Sequence, residues 1–348
     1  MAHLKKAVVV VAALSLMASA APAAKLKQRW VQAAGYVSSS QKPDGSFPGF
    51  SPIGSTADAV LSFAGIERGA REVGEALDFL EANSADVDSI GEIGKVAQAL
   101  VAGGRDPRAF SGRDLVAEIL DSEQPDGHYG AHTPDDPFDG EVTDHVLAML
   151  ALEAAPDVDP GTNSLTWLLS SQCEDGGWQH TGPQGPSENG HCFTGDAESD
   201  FFRSDTNTTS IAVQAVAAHP DAAPYPYNPK GFFRKIRDDR KHGWGYDWAN
   251  RLTDANSTAL AIQAYVALGS HLPDGAMSAL IKLQKPLCDS PDQGAFVVGY
   301  ESTDEGVSKK KDADVGATIG AILGLARKTL PIHSGQLSET AATGTCVS

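Results

Sequence analysis

Ser204-Asp205-Thr206-Asn207-Thr208-Thr209-Ser210-Ile211-Ala212-Val213-Gln214-Ala215 and Thr253-Asp254-Ala255-Asn256-Ser257-Thr258-Ala259-Leu260-Ala261-Ile262-Gln263-Ala264 are two copies of one phrase, about fifty residues apart. Each opens on an Asp suited to an N-cap, because its carboxylate accepts from backbone N–H groups that the first helical turn leaves free. Each continues in small and apolar residues, the composition of a helix buried among others. Self-similarity at such a period marks a repeat architecture.

A second kind of segment alternates with the first. It ends in a Gln, then Asp-Gly, then an aromatic: Gln41 to Asp44-Gly45 and Phe47, Gln124 to Asp126-Gly127 and Tyr129, Gln172 to Asp175-Gly176 and Trp178. His242-Gly243-Trp244 and Gln293-Gly294-Ala295-Phe296 are looser copies. Glycine permits the left-handed conformation that stops a helix, and the aromatic is placed to plug the gap between neighbouring hairpins. Outer segments begin near Leu26, Glu72, Gly112, Thr162, Pro229 and Asp274, inner ones near Ser55, Ser89, Glu141, Asp205, Asp254 and Asp312. Six such hairpins predict an all-α (α/α)6 toroid, a single domain over residues 24–330, with one ring of helices inside another. Closure, rather than an open solenoid, predicts that segment 312–325 meets segment 26–39.

The N-terminus reads as an address. Lys5 and Lys6 precede an apolar run from Ala7 to Met17, broken only by Ser15, and small residues follow up to Ala23. Residues 1–23 are expected to be a secretory signal peptide, too short for a membrane span, which implies a secreted, extracellular protein. Residues 331–348 are expected to form a C-terminal tail. The net charge of −18 at pH 7 opposes phosphate backbones and anionic lipid, so nucleic acid and membrane surfaces are poor partners.

Four cysteines, an even number in an exported chain, predict two disulfides. Three pairings are open. Cys173 with Cys192 around a Gly-rich loop, leaving Cys288 to hold Cys346, is the expected one. Loops of about 20 and 58 residues would each contribute roughly 3–4 kcal/mol on the chain-entropy model. No metal and no cofactor are expected: the chain has no Cys-x-x-Cys and no regular histidine spacing near its cysteines.

The Gln–Asp-Gly–aromatic turns resemble the QW repeats of squalene and oxidosqualene cyclases, and the inner segments resemble their Asp-x-Asp-Asp-Thr-Ala helix. On these motifs nearly the whole mature chain resembles the terpenoid cyclase and protein prenyltransferase superfamily, the (α/α)6 toroids. In the cyclases the middle Asp is the general acid that protonates an alkene or epoxide. The resemblance puts Asn207 and Asn256 in that place, and a carboxamide has no acidic proton to give. Asp312-Ala313-Asp314 keeps an Asp there, which makes Asp314 a candidate acid. The zinc of the prenyltransferases needs a Cys on an inner helix, and the thioester domains of this superfamily need Cys-Gly-Glu-Gln; the sequence has neither.

Three residues beyond the inner-segment starts stand Asp58, Glu92, Asp144, Thr208, Ser257 and Val315. Ser55 with Asp58 and Ser89 with Glu92 have the spacing of capping boxes. In a closed ring the six N-termini share one mouth, gathering Asp58, Glu92 and Asp144 on an arc opposite Asn207, Asn256 and Asp314. Asp144 is the second candidate acid. His145, diverging from it by about 100°, reads as a surface or satisfied residue rather than a base, and Trp178 as a plug. The run Gly243-Trp244-Gly245-Tyr246-Asp247-Trp248 is denser than a plug requires, so Trp244 and Trp248 join Asn207, Asn256, Asp58 and Glu92 as expected ligand contacts.

The expected function is therefore a secreted, non-catalytic toroid module that binds a small apolar or amphipathic ligand, or a cell-envelope component. Two alternatives stand beside it: a cyclase-type enzyme using Asp314 or Asp144, and a polysaccharide hydrolase or lyase with paired carboxylates at the mouth. A hydrophobic cavity floor favours an apolar ligand. An open groove lined by Trp and paired acids favours a sugar.

Overall fold

The computed structural model describes residues 24–130, 142–158, 160–180, 192, 203–288 and 290–339. Five inner helices begin where a short polar side chain caps them: Ser51, Ser89, Asp205, Asp254 and Asp314 accept from the amides of Gly54, Glu92, Thr208, Ser257 and Ala317 at 2.6–3.3 Å. The helices so started are α2 (Pro52–Gly65), α4 (Ile90–Ala102), α8 (Thr206–Ala218), α10 (Ala255–Ala267) and α12 (Val315–Ala326), with α6 (Val142–Ala154) completing the inner set. The outer set is α1 (residues 24–39), α3 (Ala70–Ala82), α5 (Leu115–Asp121), α7 (Thr162–Ser170), α9 (Pro229–Ile236) and α11 (Ala276–Lys282). Inner and outer helices alternate along the chain.

Two caps differ from the expected register. Helix α2 is capped by Ser51, not Ser55, and α12 by Asp314, not Asp312. Asp314 is thus the counterpart of Asp205 and Asp254, and Gly316 is the counterpart of Asn207 and Asn256. An Asp-x-Asp sequence offers two caps, and only a contact outside the helix selects between them. That contact is Thr318, which the amide of Phe296 reaches at 2.8 Å.

The same contact recurs around the molecule. The amides of Phe47, Trp178 and Trp244 donate to Thr56, Thr209 and Thr258 at 2.9–3.0 Å, and Tyr129 donates to Nδ1 of His145 at 3.0 Å. Each aromatic is fully buried, and each of these plugs is tied to the inner helix it precedes. His145 takes the place of a threonine hydroxyl in the third hairpin. Its Nε2–H donates to the carbonyl of Ser164 at 3.1 Å, and burial pushes its pKa down to about 3. Of the two structural readings, surface or satisfied, the residue is a satisfied one in the core.

In three of the outer turns a Gln joins one outer helix to the next. Gln41 Nε2 donates to its own turn at Gly45 O and across to Glu72 O, and Gln172 Nε2 to Gly176 O and Tyr227 O. Gln284 does the same at Gly294 O and at Arg29 O, 2.9 Å away and 255 residues earlier. Arg29 returns a bond to Gln284 Oε1 at 3.0 Å. On the inside, α12 packs on α2, and Ser62 Oγ donates to Ile319 O at 2.9 Å. Each inner helix packs against the two inner helices beside it, α2, α4, α6, α8, α10 and α12 in order and back to α2. The first and last hairpins meet, and the ring is closed.

Further features lie around the ring. Strands β1 (Trp178–Gln179) and β2 (Ser204–Asp205) pair briefly, and β3 (Tyr300–Thr303) with β4 (Gly306–Lys309) forms a hairpin absent from the sequence reading. The segment after α12 crosses back under the ring: the Leu330 amide donates to Gln214 Oε1 at 2.8 Å, Ile332 packs among Leu61, Ala64, Ala102 and Leu323, and Ser338 bonds Glu67 O. Cys173 and Cys192 form a disulfide, Cα atoms 5.4 Å apart. Cys288 is disulfide-bonded as well, while its expected partner Cys346, like the expected signal peptide, lies outside the described residues. No described helix is long and apolar enough to cross a membrane.

Candidate functional site: an axial cavity

Register through the caps and the threonine contacts makes the interior a stack of layers. Residues four apart on a helix share one face. Two residues past the plug-binding position of α2, α6, α8, α10 and α12 stand Asp58, Leu147, Ile211, Leu260 and Gly320, and α4 contributes Lys95 six residues past its cap. All six line a cavity of about 780 Å³ on the ring axis. One turn above them, at the capped ends, lie Thr143, Asn207, Asn256 and Gly316, joined by Phe50, His180 and Tyr246 from loops. Below lie Leu61, Gln263 and Leu323, with Leu330 supplied by the returning tail. The floor and most of the waist are apolar.

Among the described residues the one ion pair in the wall is Asp58 with Lys95, 3.1 Å apart, so the formal charges of these two cancel. Asn207 Oδ1 and Gln263 Oε1 are buried atoms with no hydrogen-bond partner among the described residues. Behind the wall, Asp205 is fully buried, and its Oδ2 also lacks a partner among them. Burial pushes its carboxyl up to about 6, against the opposing pull of the Thr208 amide bond and of His180.

Several expected contacts are elsewhere. Trp244 is wholly buried with its indole N–H on Phe233 O at 2.8 Å; it is a plug like Trp178, not a ligand contact. Trp248 is 60% exposed but outside the cavity, with the Arg203 guanidinium 5.3 Å above its ring. That guanidinium grips buried Asp247 with two bonds of 2.8 Å, so the aromatic-rich run is an anchored loop from which Tyr246 alone reaches the cavity. Glu92 accepts from Ser51 Oγ at 3.1 Å and faces a separate cleft beside Lys42 and Asp44; burial raises its pKa. Asp144 is packed against Gly91, where an added Cβ would lie 2.0 Å from its Oδ1, and Asp314 is a cap beside the β3–β4 hairpin. The expected acidic arc does not form: of Asp58, Glu92, Asp144 and Asp314, only Asp58 reaches the cavity. Among the described residues there is no cluster of His, Cys, Asp and Glu that would hold a metal.

Lys95, His180 and Gln263 were not expected at the site. Lys95 and Gln263 carried a signal, since counting six and nine residues from the caps Ser89 and Asp254 puts them on the inner face. His180 sits on non-periodic chain and gave none, and in the aromatic run Gly243–Trp248 it is Tyr246, not Trp244 or Trp248, that lines the cavity.

Solved structures of this shape come from unlike enzymes. A variant of the type II terpene cyclase MstE from Scytonema, in complex with geranylgeranyl dihydroxybenzoate, is 14% identical over 86% of this chain and 97% of that one, with a TM-score of 0.57. An unsaturated glucuronyl hydrolase specific for heparin is 11% identical over 87% of this chain and 95% of that one, TM-score 0.54. The α-1,6-mannanase GH76A of Salegentibacter sp. HEL1_6, in complex with α-1,6-mannotriose, is 12% identical over 86% and 98%, TM-score 0.53. At these identities the likeness is one of fold alone, and the fold is the (α/α)6 toroid. No protein-family model and no curated protein matches the sequence.

Proposed function

We propose that the chain is an exported, non-catalytic binding protein whose axial cavity takes up a small apolar or amphipathic molecule. The observation that carries this reading is the composition of the wall: Leu147, Ile211 and Leu260 at the waist and Leu61, Leu323 and Leu330 at the floor, under a polar rim of Asn207, Asn256 and Thr143. Each 100 Å² of apolar ligand surface withdrawn from water there contributes about 2.5 kcal/mol. The rim recognises by hydrogen bond, since amides and hydroxyls have no proton acidic enough to attack an alkene. Asp58 is held by Lys95, and no second carboxylate stands beside it among the described lining residues, which argues against two-carboxylate glycan hydrolysis. Export is the setting in which a disulfide such as Cys173–Cys192 persists. The neighbour MstE, with a geranylgeranyl compound bound, supports the capacity of this fold for such molecules.

Titration with the apolar fluorophore N-phenyl-1-naphthylamine tests the reading. Saturable enhancement is expected for the wild type, and its loss in Leu260→Trp, which fills the waist. A wild type that binds no fluorophore overturns the cavity reading. Cyclic product after incubation with squalene or a linear diterpene diphosphate overturns the non-catalytic one.

A further inference from the structure

Among the described residues the cavity has an unmet polar atom above and another below its largely apolar waist. Gln263 is 2% exposed, forms part of the floor, and its Oε1 has no partner among the described residues. Of its repeat counterparts, Gln214 on α8 uses both ends of its amide, donating to Ser210 O at 3.1 Å and accepting from the Leu330 amide at 2.8 Å, while Gln98 on α4 donates to Leu147 O at 3.0 Å and has an Oε1 unmet like that of Gln263 among the described residues. Of the three, Gln263 is the one that lines the cavity. At the rim, Asn207 Oδ1 is likewise buried and unmet among the described residues. Between the two heights lies the layer of Ile211 and Leu260.

The helical register gives the spacing. Asn207 is two residues past its cap and Gln263 nine past the cap of the neighbouring helix, so the two amides stand seven residues apart in height, about 10 Å at the α-helical rise. A fatty alcohol or acid with a single polar head would satisfy one amide and press a methyl end on the other, leaving a buried polar atom unpaired. In the layer between, Asp58 and Lys95 neutralise each other, and the molecule as a whole carries −18; both oppose an anionic ligand. A hydroxyl donates and accepts, so it matches an amide through either its oxygen or its nitrogen.

Resting on the reading of the cavity as a binding site, we propose that its ligand is a neutral amphiphile with a hydroxyl at each end of an apolar body about 10 Å long, one hydroxyl on Asn207 and the other on Gln263. The test is displacement of bound N-phenyl-1-naphthylamine by three steroids that differ only in polar ends: androstanediol, androstanol and androstane. The flexible pair octanediol and octanol is run in parallel, so that the comparison does not hang on the ring system. In the wild type a diol is expected to displace the probe at a concentration at least tenfold below its mono-ol. Gln263→Leu, close in volume, is expected to weaken the diol about tenfold and leave the mono-ol within a factor of about two. Asn207→Leu reports the rim end independently, should Gln263→Leu fail to fold. Equal displacement by diol and mono-ol, no displacement by either diol, or a diol unaffected by both substitutions overturns the proposal while probe binding keeps the cavity reading intact. Absence of probe binding in the wild type fails the cavity reading itself.

Discussion

Asp205 is a carboxylate in a place where only one of its oxygens is used. Oδ1 caps α8 through the Thr208 amide at 2.8 Å, while Oδ2 is buried with no partner among the described residues. Desolvation dominates, and the folded pKa of about 6 lies above the ordinary 3.8. The folded state therefore holds this proton more tightly than the unfolded chain. The stabilising contribution of the protonated form is complete below about pH 4 and is lost as the pH rises through about 6. Asparagine caps as well as aspartate and never ionises. Asp205→Asn is expected to raise stability at neutral pH by roughly 1–3 kcal/mol, the gain shrinking as pH falls from about 6 and vanishing near 4. Urea midpoints of variant and wild type across that range check this, and a gap that does not change with pH would place the folded pKa of Asp205 at its ordinary value. In the sequence this residue was legible as a cap but not as a strained one. Asp205 is paired along the backbone with Trp178 on one side and Asp247 on the other, and neither is periodic with α8.

At the scale of the element, the turn carries more information than the helix. Gln172, Gly176 and Trp178 each do one thing: the Gln ties two outer helices, the Trp plugs, and the Gly lets the chain pass. Gly176 has φ +94°, and a Cβ there would lie 2.4 Å from the carbonyl oxygen of Asn228. Gly112 has a similar φ of +84° with open space around it. The pair separates backbone strain from steric exclusion. Gly112→Ala is expected to cost about 1 kcal/mol, the penalty of the left-handed region alone, and Gly176→Ala at least about 3 kcal/mol, because α9 must shift as well. Equal losses in thermal or urea unfolding would mean that the turn is not pressed on the next helix. These turns made the outer helices legible. Inner-helix starts were less so: Ser51 or Ser55, and Asp312 or Asp314, are equally good caps in isolation. Choosing wrongly by two residues moved Asp314 into a place that belongs to Gly316. Trp244 and Trp248 failed for a related reason, since loop residues have no period to reveal which ring faces inward.

For the whole molecule, the count of hairpins was enough to predict a ring, but the contents of the ring depend on six registers at once. Asp58 reads as half of an acidic cluster until Lys95 is placed in the same layer, and the floor is invisible until the tail brings Leu330 under it. Closure itself is secured by a device already used within the chain. Gln284 reaches Arg29 O at 2.9 Å as Gln172 reaches Tyr227 O at 2.9 Å, and Gly294 sits against Gln32 as Gly176 sits against Asn228. The seam between the chain's two ends is thus built like an ordinary joint between consecutive hairpins. Gln284→Leu and Gln172→Leu are accordingly expected to destabilise by similar amounts, about 1–3 kcal/mol each, because each leaves buried carbonyls without their donor. In a molecule open at the seam, Arg29 O and Gly294 O are solvated and Gln284 has little to lose. Equilibrium urea unfolding of the two variants decides between these states. A Gln284→Leu variant as stable as the wild type, beside a weakened Gln172→Leu, would mean an open solenoid in solution and would remove the enclosed waist on which ligand binding rests.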